Sequence, residues 1–544
     1  MLITKKLSVY RFIIFSAVIV TLAATPNFNK DALIIPKVFI LFCSILVILP
    51  YLLNSLKAKH RSRILSSLKI ISILLVLQLV LAMFFSQAPI EQQIFGRTGR
   101  GLGFLTMFSL IVITLGCAIT AHQNNYRLLI NGLAVSGLLS AVYAVFQSFG
   151  LDFFPWDSKT NGVIGTLGNP NFVSSFAAMS ALPALMLVNN SKRKLLYQII
   201  LSLFFAFTIY KAGSYQGYIT LILAYSTFIL LWLWFVNKVF FSVAFALFCI
   251  STSLAIIGTL NKGPLAEILY KPSVQSRGEF WGSAFSTANA HPVFGVGLDS
   301  FGDYSLMYRS KAVINEFTDS AHNYFLDFAT IAGYPFLILH ILLIGLTIFS
   351  FFKLFKQSLR FNPAVSVLFV SYVVYQAQSM ISPISIPLIV WGSIISGSII
   401  GLCINTGSQD YTLNKKTKNN INLSSITLSF FALFLLFPYF NADRLQLNAM
   451  NKGDGDLAIK VAKMFPESVV RYSTLSRALL ESGLPAPALD LARSAVEFNP
   501  NSPALWALIL INPSATIEER KSAQAKLLVL DPLNEEVIKY EITP

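Results

Sequence analysis

Charge is what this chain has least of. Only 12% of its 544 residues are charged, against 55% hydrophobic. Soluble globular domains carry about 25% charged residues, so a soluble fold is excluded. Cysteine is nearly as scarce. Cys43, Cys117, Cys249 and Cys403 all fall within or at the edge of apolar runs. They are too scattered for a metal centre and read as small buried hydrophobes. Histidine and acidic residues do not gather at ligand spacing either, so neither a metal site nor a cofactor is expected.

What the chain has instead is long apolar runs. A helix that crosses the bilayer core needs roughly 20 apolar residues, and about thirteen runs approach that length. They lie near 9–25, 32–53, 70–86, 101–121, 128–149, 172–189, 196–211, 216–236, 239–259, 323–352, 363–380, 384–405 and 424–440. Lys5, Lys6 and Arg11 before the first run resemble a signal peptide, but the many runs that follow make it a first span. The expected class is an all-α polytopic membrane protein with about 12–13 transmembrane helices.

The net charge of +16 invites a nucleic-acid partner, but its distribution argues for topology. Basic residues cluster before the first run, at Lys57–Arg63, Arg127, Lys192–Lys194, Lys238, Lys353–Arg360 and Lys415–Lys418, on alternate connections. Basic loops mark the cytoplasmic side. The N-terminus is therefore expected in the cytoplasm, and no nucleic acid is expected as partner. Parity places 87–100, 150–171, 211–215, 260–322, 380–384 and the tail 441–544 on the outer face. ATP and nucleotide sugars are cytoplasmic, so outward chemistry should draw on a lipid-linked phosphate or pyrophosphate donor.

The tail is compositionally ordinary. Pro466, Pro500 and Pro532 recur at 34 and 32 residues, near the period of tetratricopeptide helix pairs. Gly483, Ala488, Ala492, Ala495 and Pro500 fit the small-residue spacing of such pairs. Two domains are expected: 1–440 in the membrane, with loop 260–322 carrying the site, and 441–544 as an extracytoplasmic helical repeat unit. Such arrays bind partners, and the plain alternative is a solubilising cap.

Groups able to do chemistry are few. Ionisable residues are costly inside spans, which singles out Lys37, Lys211 and Asp327; snorkelling to the interface is the plain alternative. Arg97 and Arg100 in GRTGR stand beside glycines where guanidinium forks and backbone N–H groups can hold phosphate oxygens, or where a solvated turn would need no ligand. Asn169 and Asn171 in GTLGNPN can bind sugar hydroxyls or cap the next helix. Arg277 and Trp281 are four apart and share a helical face, as an interfacial helix facing a headgroup requires. Pro292, Gly295 and Gly297 in HPVFGVG suggest re-entry toward the membrane. His322 in SAHNYF suits proton transfer near neutral pH, or is an interfacial helix cap.

Four segments carry a resemblance to the O-antigen ligase and polymerase family of bacterial membrane glycosyltransferases. These are GRTGRGLGFL (96–105), GTLGNPNFVSSF (165–176), SRGEFWGSAF with HPVFGVGLDSF (276–301), and AHNYFLDFATIAGYPF (321–336). The resemblance covers about residues 10–405. It implies a GT-C-like helical fold in the cytoplasmic (inner) membrane. It implies a metal-independent, inverting transfer of a glycan from undecaprenyl pyrophosphate to a glycan, lipid or protein acceptor. It further implies His322 as base or acceptor-orienting group, with Arg277, Arg97 and Arg100 on the pyrophosphate. Asn323 and Tyr324 would support them, with Trp281 and Asn169 alongside. The chain departs from the family where many members have a Ser–Arg pair and it has Gly213-Ser214-Tyr215-Gln216. Lys211 stands nearby as a candidate to supply the missing charge to the pyrophosphate, although a lysine cannot reproduce the bidentate fork.

Two other classes fit parts of the pattern. A lipid-linked sugar flippase or other transporter would place polar or broken helices at the midplane, whereas here the unusual groups gather at one face. A non-catalytic scaffold would recruit envelope proteins through its repeats.

Overall fold

A computed structural model describes residues 3–56, 62–123, 125–154, 162–188, 193–310, 317–404 and 415–542. Most of the basic run 57–63, Lys192 and part of loops 150–171 and 260–322 lie outside the described residues.

Each of the thirteen apolar runs forms a helix. They are α1 (Ile3–Leu22), α2 (Ile34–Leu56), α3 (Arg63–Phe85), α5 (Phe104–Thr120), α6 (Tyr126–Ser148), α7 (Pro170–Leu185), α8 (Lys194–Ala212), α9 (Tyr215–Val236), α10 (Lys238–Thr259), α14 (Tyr324–Gln357), α15 (Pro363–Ser379), α16 (Ile386–Ile404) and α17 (Lys415–Lys452). Among the described residues, nine are long and apolar enough to cross a membrane by length and composition; α1, α5, α7 and α15 are not among them, their apolar parts being shorter or less hydrophobic. The chain is an all-α polytopic membrane protein. Short helices α4 (Ile90–Phe95), α11 (Ala266–Leu269) and α13 (Phe301–Tyr304) and the longer α12 (Pro272–Ala290) lie in the connections.

α16 is the hub of the bundle and is almost wholly buried. It packs on α5, α14 and α15, and the approach to α5 is backbone to backbone. A Cβ at Gly397 would stand 2.3 Å from the Thr114 carbonyl. Small residues at such crossings are how membrane helices gain close packing without a hydrophobic driving force. Two hydrogen bonds fasten α1 to this hub: Trp391 Nε1 donates to Thr21 Oγ1 at 2.9 Å, and Tyr10 Oη pairs with Ser398 Oγ at 2.8 Å.

The run at 323–352 was expected to be one span, and the structure corrects this. Ala332 and Gly333 have non-helical backbone, so α14 is two segments, 324–331 and 334–357. The Tyr324 ring lies 5.2 Å from that of His340, and the Phe328 ring 5.1 Å from that of Phe336. In a continuous helix sixteen residues rise about 24 Å, so the first segment must fold back beside the second. Gly333, at φ +78°, makes the turn, and a Cβ there would meet the Val293 carbonyl at 2.2 Å. The glycine turn after α12 plugs the break. Val296 N donates to the Thr330 carbonyl and Tyr334 N to the Pro292 carbonyl, both at 2.8 Å. Gln78 of α3 donates to the carbonyls of Val293 and Ala332 at 2.6 and 2.9 Å. Broken backbone at this depth is tolerated where protein groups satisfy it, and these bonds satisfy the Thr330 and Ala332 carbonyls and the Tyr334 N–H.

The connections expected on one face do gather at one end of the bundle. Asp31, before α2, accepts from Gly99 N at 2.9 Å and, through its own N–H, donates to Asp443 of α17 at 3.1 Å. Thr166 Oγ1 donates to the Thr21 carbonyl at 3.0 Å. Tyr126, Arg127, Met186, Leu187 and Asn362 line a common cavity made by the opposite connections.

Beyond α17 come α18 (Gly455–Ala462), α19 (Val469–Glu481), α20 (Pro485–Phe498), α21 (Pro503–Leu510), α22 (Ile517–Leu530) and α23 (Glu535–Ile538). Ala488, Ala492 and Ala495 are buried where α19 packs on α20, and Gly483 turns the chain between those helices at φ +75°. The tail thus has its own apolar core.

Candidate functional site

The glycine-rich turn 96–103 is organised around two aspartates from the loop after α12. Asp299 accepts the backbone N–H groups of Arg97 and Leu102 on one oxygen at 2.8 and 3.0 Å, and Arg100 Nε on the other at 3.0 Å. Asp303 accepts Arg97 Nη1 at 2.9 Å. Arg100 also reaches Asp319 at 3.2 Å and Asp327 at 3.6 Å. All but Asp319 are buried. Burial by itself would lower the pKa of Arg100, but Asp319, Asp299 and Asp327 outweigh it and the net shift is upward. Arg97 and Arg100 were expected to grip a pyrophosphate. In the structure both have carboxylate partners, and the arginines and aspartates together form a frame.

His322 stands on that frame. Arg100 faces Asp327, and Asp327 accepts Ser320 Oγ and Ala321 N, both at 2.8 Å. Ser320 Oγ in turn accepts His322 N at 3.0 Å. His322 is held at φ +54°, a left-handed conformation that costs a non-glycine residue energy and persists where the surroundings over-determine it. Its Nδ1 lies 3.3 Å from the Ser320 carbonyl. A carbonyl can only accept, so this contact places the ring proton on Nδ1 and leaves Nε2 as a lone-pair base. Phe280 of α12 stacks on the ring at 5.2 Å. Burial, and then the positive charges of Arg277 and Arg100, keep the ring below its ordinary pKa, against the opposing effects of the Ser320 contact and Asp319. The imidazole is therefore neutral at pH 7.

Arg277 is on α12, three residues before Phe280, and it is half-buried. Among the described residues its buried Nε has no hydrogen-bond partner, and neither has Trp281 Nε1, four residues on. Burial without a carboxylate lowers the pKa of Arg277. Two orphaned donors on one helical face, next to a neutral histidine, make a site for an anion. Most buried donors in folded proteins are paired.

The remaining expected residues have other duties. Asn323 caps α14, accepting from Phe325 N at 3.0 Å. Tyr324 is fully buried and turns away from the loop, donating to Gln376 at 2.5 Å and meeting His340 at 3.2 Å. Asn169 caps α7, accepting from Asn171 N at 2.8 Å. Lys211 lies over the Phe149 and Phe207 rings at 4.5 and 5.6 Å, a neighbourhood made by α6 and α8 and not by α12. In the Gly213–Gln216 segment, Ser214 donates to Asn171 at 2.6 Å, and Gln216 bridges Ser175 and Ser382 at 3.1 and 2.7 Å. Lys37 does not snorkel: it is fully buried and donates to the Ala23 carbonyl.

Sequence reasoning missed Asp299, Asp303 and Asp319. The signal was present, since three aspartates in one loop match two arginines in another. His340 and Gln376 were also missed, although polar side chains inside apolar runs are informative.

Residues 178–341 match the family profile described as O-antigen ligase. No curated protein matches the chain. The matched stretch holds Lys211, Arg277, Trp281, His322, Asn323 and Tyr324, and leaves out Arg97, Arg100 and Asn169. The match supports a multi-pass membrane enzyme of the glycan ligase or polymerase kind, acting between a lipid-linked glycan donor and an acceptor.

Proposed function

We propose that the protein transfers a glycan from undecaprenyl pyrophosphate to an acceptor on the outer face of the bacterial cytoplasmic membrane. The observation that carries this reading is a half-buried Arg277, whose Nε has no partner among the described residues, on the same helix as the Phe280 that stacks on His322. His322 Nε2 takes the acceptor hydroxyl proton as the acceptor oxygen attacks the anomeric carbon. The bond from that carbon to the pyrophosphate breaks with inversion, and the pyrophosphate leaves with the electron pair. Arg277, with Trp281 Nε1, holds the developing charge, a role that guanidinium donors fill without a metal ion. Arg97 and Arg100 hold the shelf on which His322 stands.

The alternating basic connections support an N-terminus in the cytoplasm and place the site and residues 441–544 outside. The paired helices of the tail, with their small residues at the α19–α20 contact, support a tetratricopeptide-like unit. The acceptor is a glycan, a lipid or a protein of the envelope.

Purified protein in lipid nanodiscs, given undecaprenyl-pyrophosphate-linked glycan and candidate acceptors, should form product. His322→Ala should slow transfer by roughly 10²–10⁴-fold with an unchanged melting temperature. Near-normal transfer by that variant rejects the assignment. Movement of donor across the bilayer without transfer points to a carrier, and neither activity to a scaffold.

A further inference from the structure

A tail of paired helices is ordinarily taken for a tethered module that recruits partners. Its contacts in this molecule are of another kind. At the end of α20, Asn499 is buried and its Nδ2 donates to Asp303 Oδ2 at 3.0 Å. Two residues on, Asn501 donates to Tyr304 Oη at 3.1 Å. Asp531, after α22, pairs with Arg309 at 2.5 Å. Ser468, before α19, meets Thr98 Oγ1 at 2.9 Å. The four contacts come from three separate helix ends, and all land on the two segments that frame His322.

Asp303 is the junction. Its Oδ1 takes Arg97, and its Oδ2 is shared by Gln92 at 3.2 Å and Asn499. A buried carboxylate needs its lone pairs satisfied, and a charge-assisted hydrogen bond is the stronger kind. Asn499 itself is fixed, because its Oδ1 accepts from Asn501 N at 3.1 Å. The amide therefore points at Asp303 by construction.

We propose that the C-terminal helical unit is a fixed wall of the site, and that Asn499 is a positioning residue acting through Asp303 on Arg97 and the 96–103 turn. The unit completes the frame from outside: without the Asn499 donor, Asp303 is under-satisfied and the turn that carries Arg100 loosens beneath His322. The catalytic part of this proposal rests on the transferase reading; the docking part does not.

The test uses the full chain in nanodiscs with two readouts: amide hydrogen exchange of residues 96–102, and transfer kinetics with undecaprenyl-pyrophosphate-linked glycan. Asn499→Ala should raise exchange in the turn by about ten-fold or more and lower kcat by a similar factor, with KM for the donor unchanged. Asn499→Asp should do the same by setting two carboxylates together. In the double variant Asn499→Asp with Asp303→Asn the groups change places: the amide at 303 still accepts from Arg97 and now donates to the carboxylate at 499, while Gln92 gives up its contact at 303 and keeps Ser300 Oγ and the Asp299 carbonyl. That pair should restore both readouts, which a merely bulky or misfolded contact would not do. If Asn499→Ala does not fold, the rim pair serves: Arg309→Asp should raise exchange in the turn, and adding Asp531→Arg should reverse it. Unchanged exchange and kcat in the foldable single variants, or no recovery in the exchanged pairs, overturns the proposal. Should the wild type transfer nothing, the transferase reading falls while the exchange measurements still decide the docking.

Discussion

The turn at 96–103 and helix α12 both bring arginine toward His322, and they leave it in opposite states. Arg97 and Arg100 are buried among Asp299, Asp303, Asp319 and Asp327. Arg277 is half-buried with a donor left over. In sequence all three arginines read as pyrophosphate ligands, and the pair beside glycines was the less secure. In space, what separates a ligand from a scaffold is whether the charge is already answered. A buried cation with carboxylates holds the fold, and one without them is available to an incoming anion.

Three measurements can break or sharpen this contrast. The largest effect is expected at Arg100. Arg100→Ala strands buried carboxylates, and breaking a buried pair costs about 3–5 kcal/mol, read as a large drop in melting temperature and loss of folded protein. Arg277→Ala should leave melting unchanged and lower transfer by roughly 10²–10³-fold, the scale for losing one charge-stabilising donor. Arg277→Lys should recover little of it, since a lysine lacks the fork. If Arg277→Ala melts as Arg100→Ala does, the distinction drawn here is wrong.

The smallest effect concerns pH. Burial and then Arg277 and Arg100 lower the pKa of His322, so the ring is the unprotonated base above that depressed value and is lost as a base when pH falls through it. Wild-type transfer should therefore hold at neutral pH and fall only below the ordinary histidine pKa of about 6.5. Arg277→Gln removes one of the lowering charges, so the acid limb should move to higher pH. The pH dependence of His322 modification by diethyl pyrocarbonate checks this without needing turnover. An acid limb that stays put, or moves down, contradicts the placement of Arg277 beside the ring.

Much of the architecture was legible because membrane insertion imposes one-dimensional rules. Apolar run length and alternating basic loops give thirteen helices and bring together the connections that meet at one end. His322 and Arg277 were legible for a related reason: polar groups are few, so each stands out. The aspartate frame was not, because its pairs join residues about two hundred positions apart, as with Arg97 and Asp303, and loop acids look solvated until their partners are located. The break in α14 was hidden by hydropathy, which reads straight through Ala332 and Gly333. Asn323, Tyr324 and Asn169 were expected to support the site; capping was legible for Asn169, whereas the cap at Asn323 and the inward turn of Tyr324 depend on packing that the sequence does not display.

The folded-back first segment of α14 sets a depth. Tyr324 lies level with His340, which is six residues, or roughly 9 Å, along the second segment from Tyr334. The histidine two positions before Tyr324 is therefore held below the glycine turn that plugs the break, and it is half-buried. Phe280 covers one face of its ring. Electrostatic interactions strengthen away from bulk water, so on the proposed reading a half-buried guanidinium whose Nε has no partner among the described residues would hold an anion more firmly than the same group at the surface.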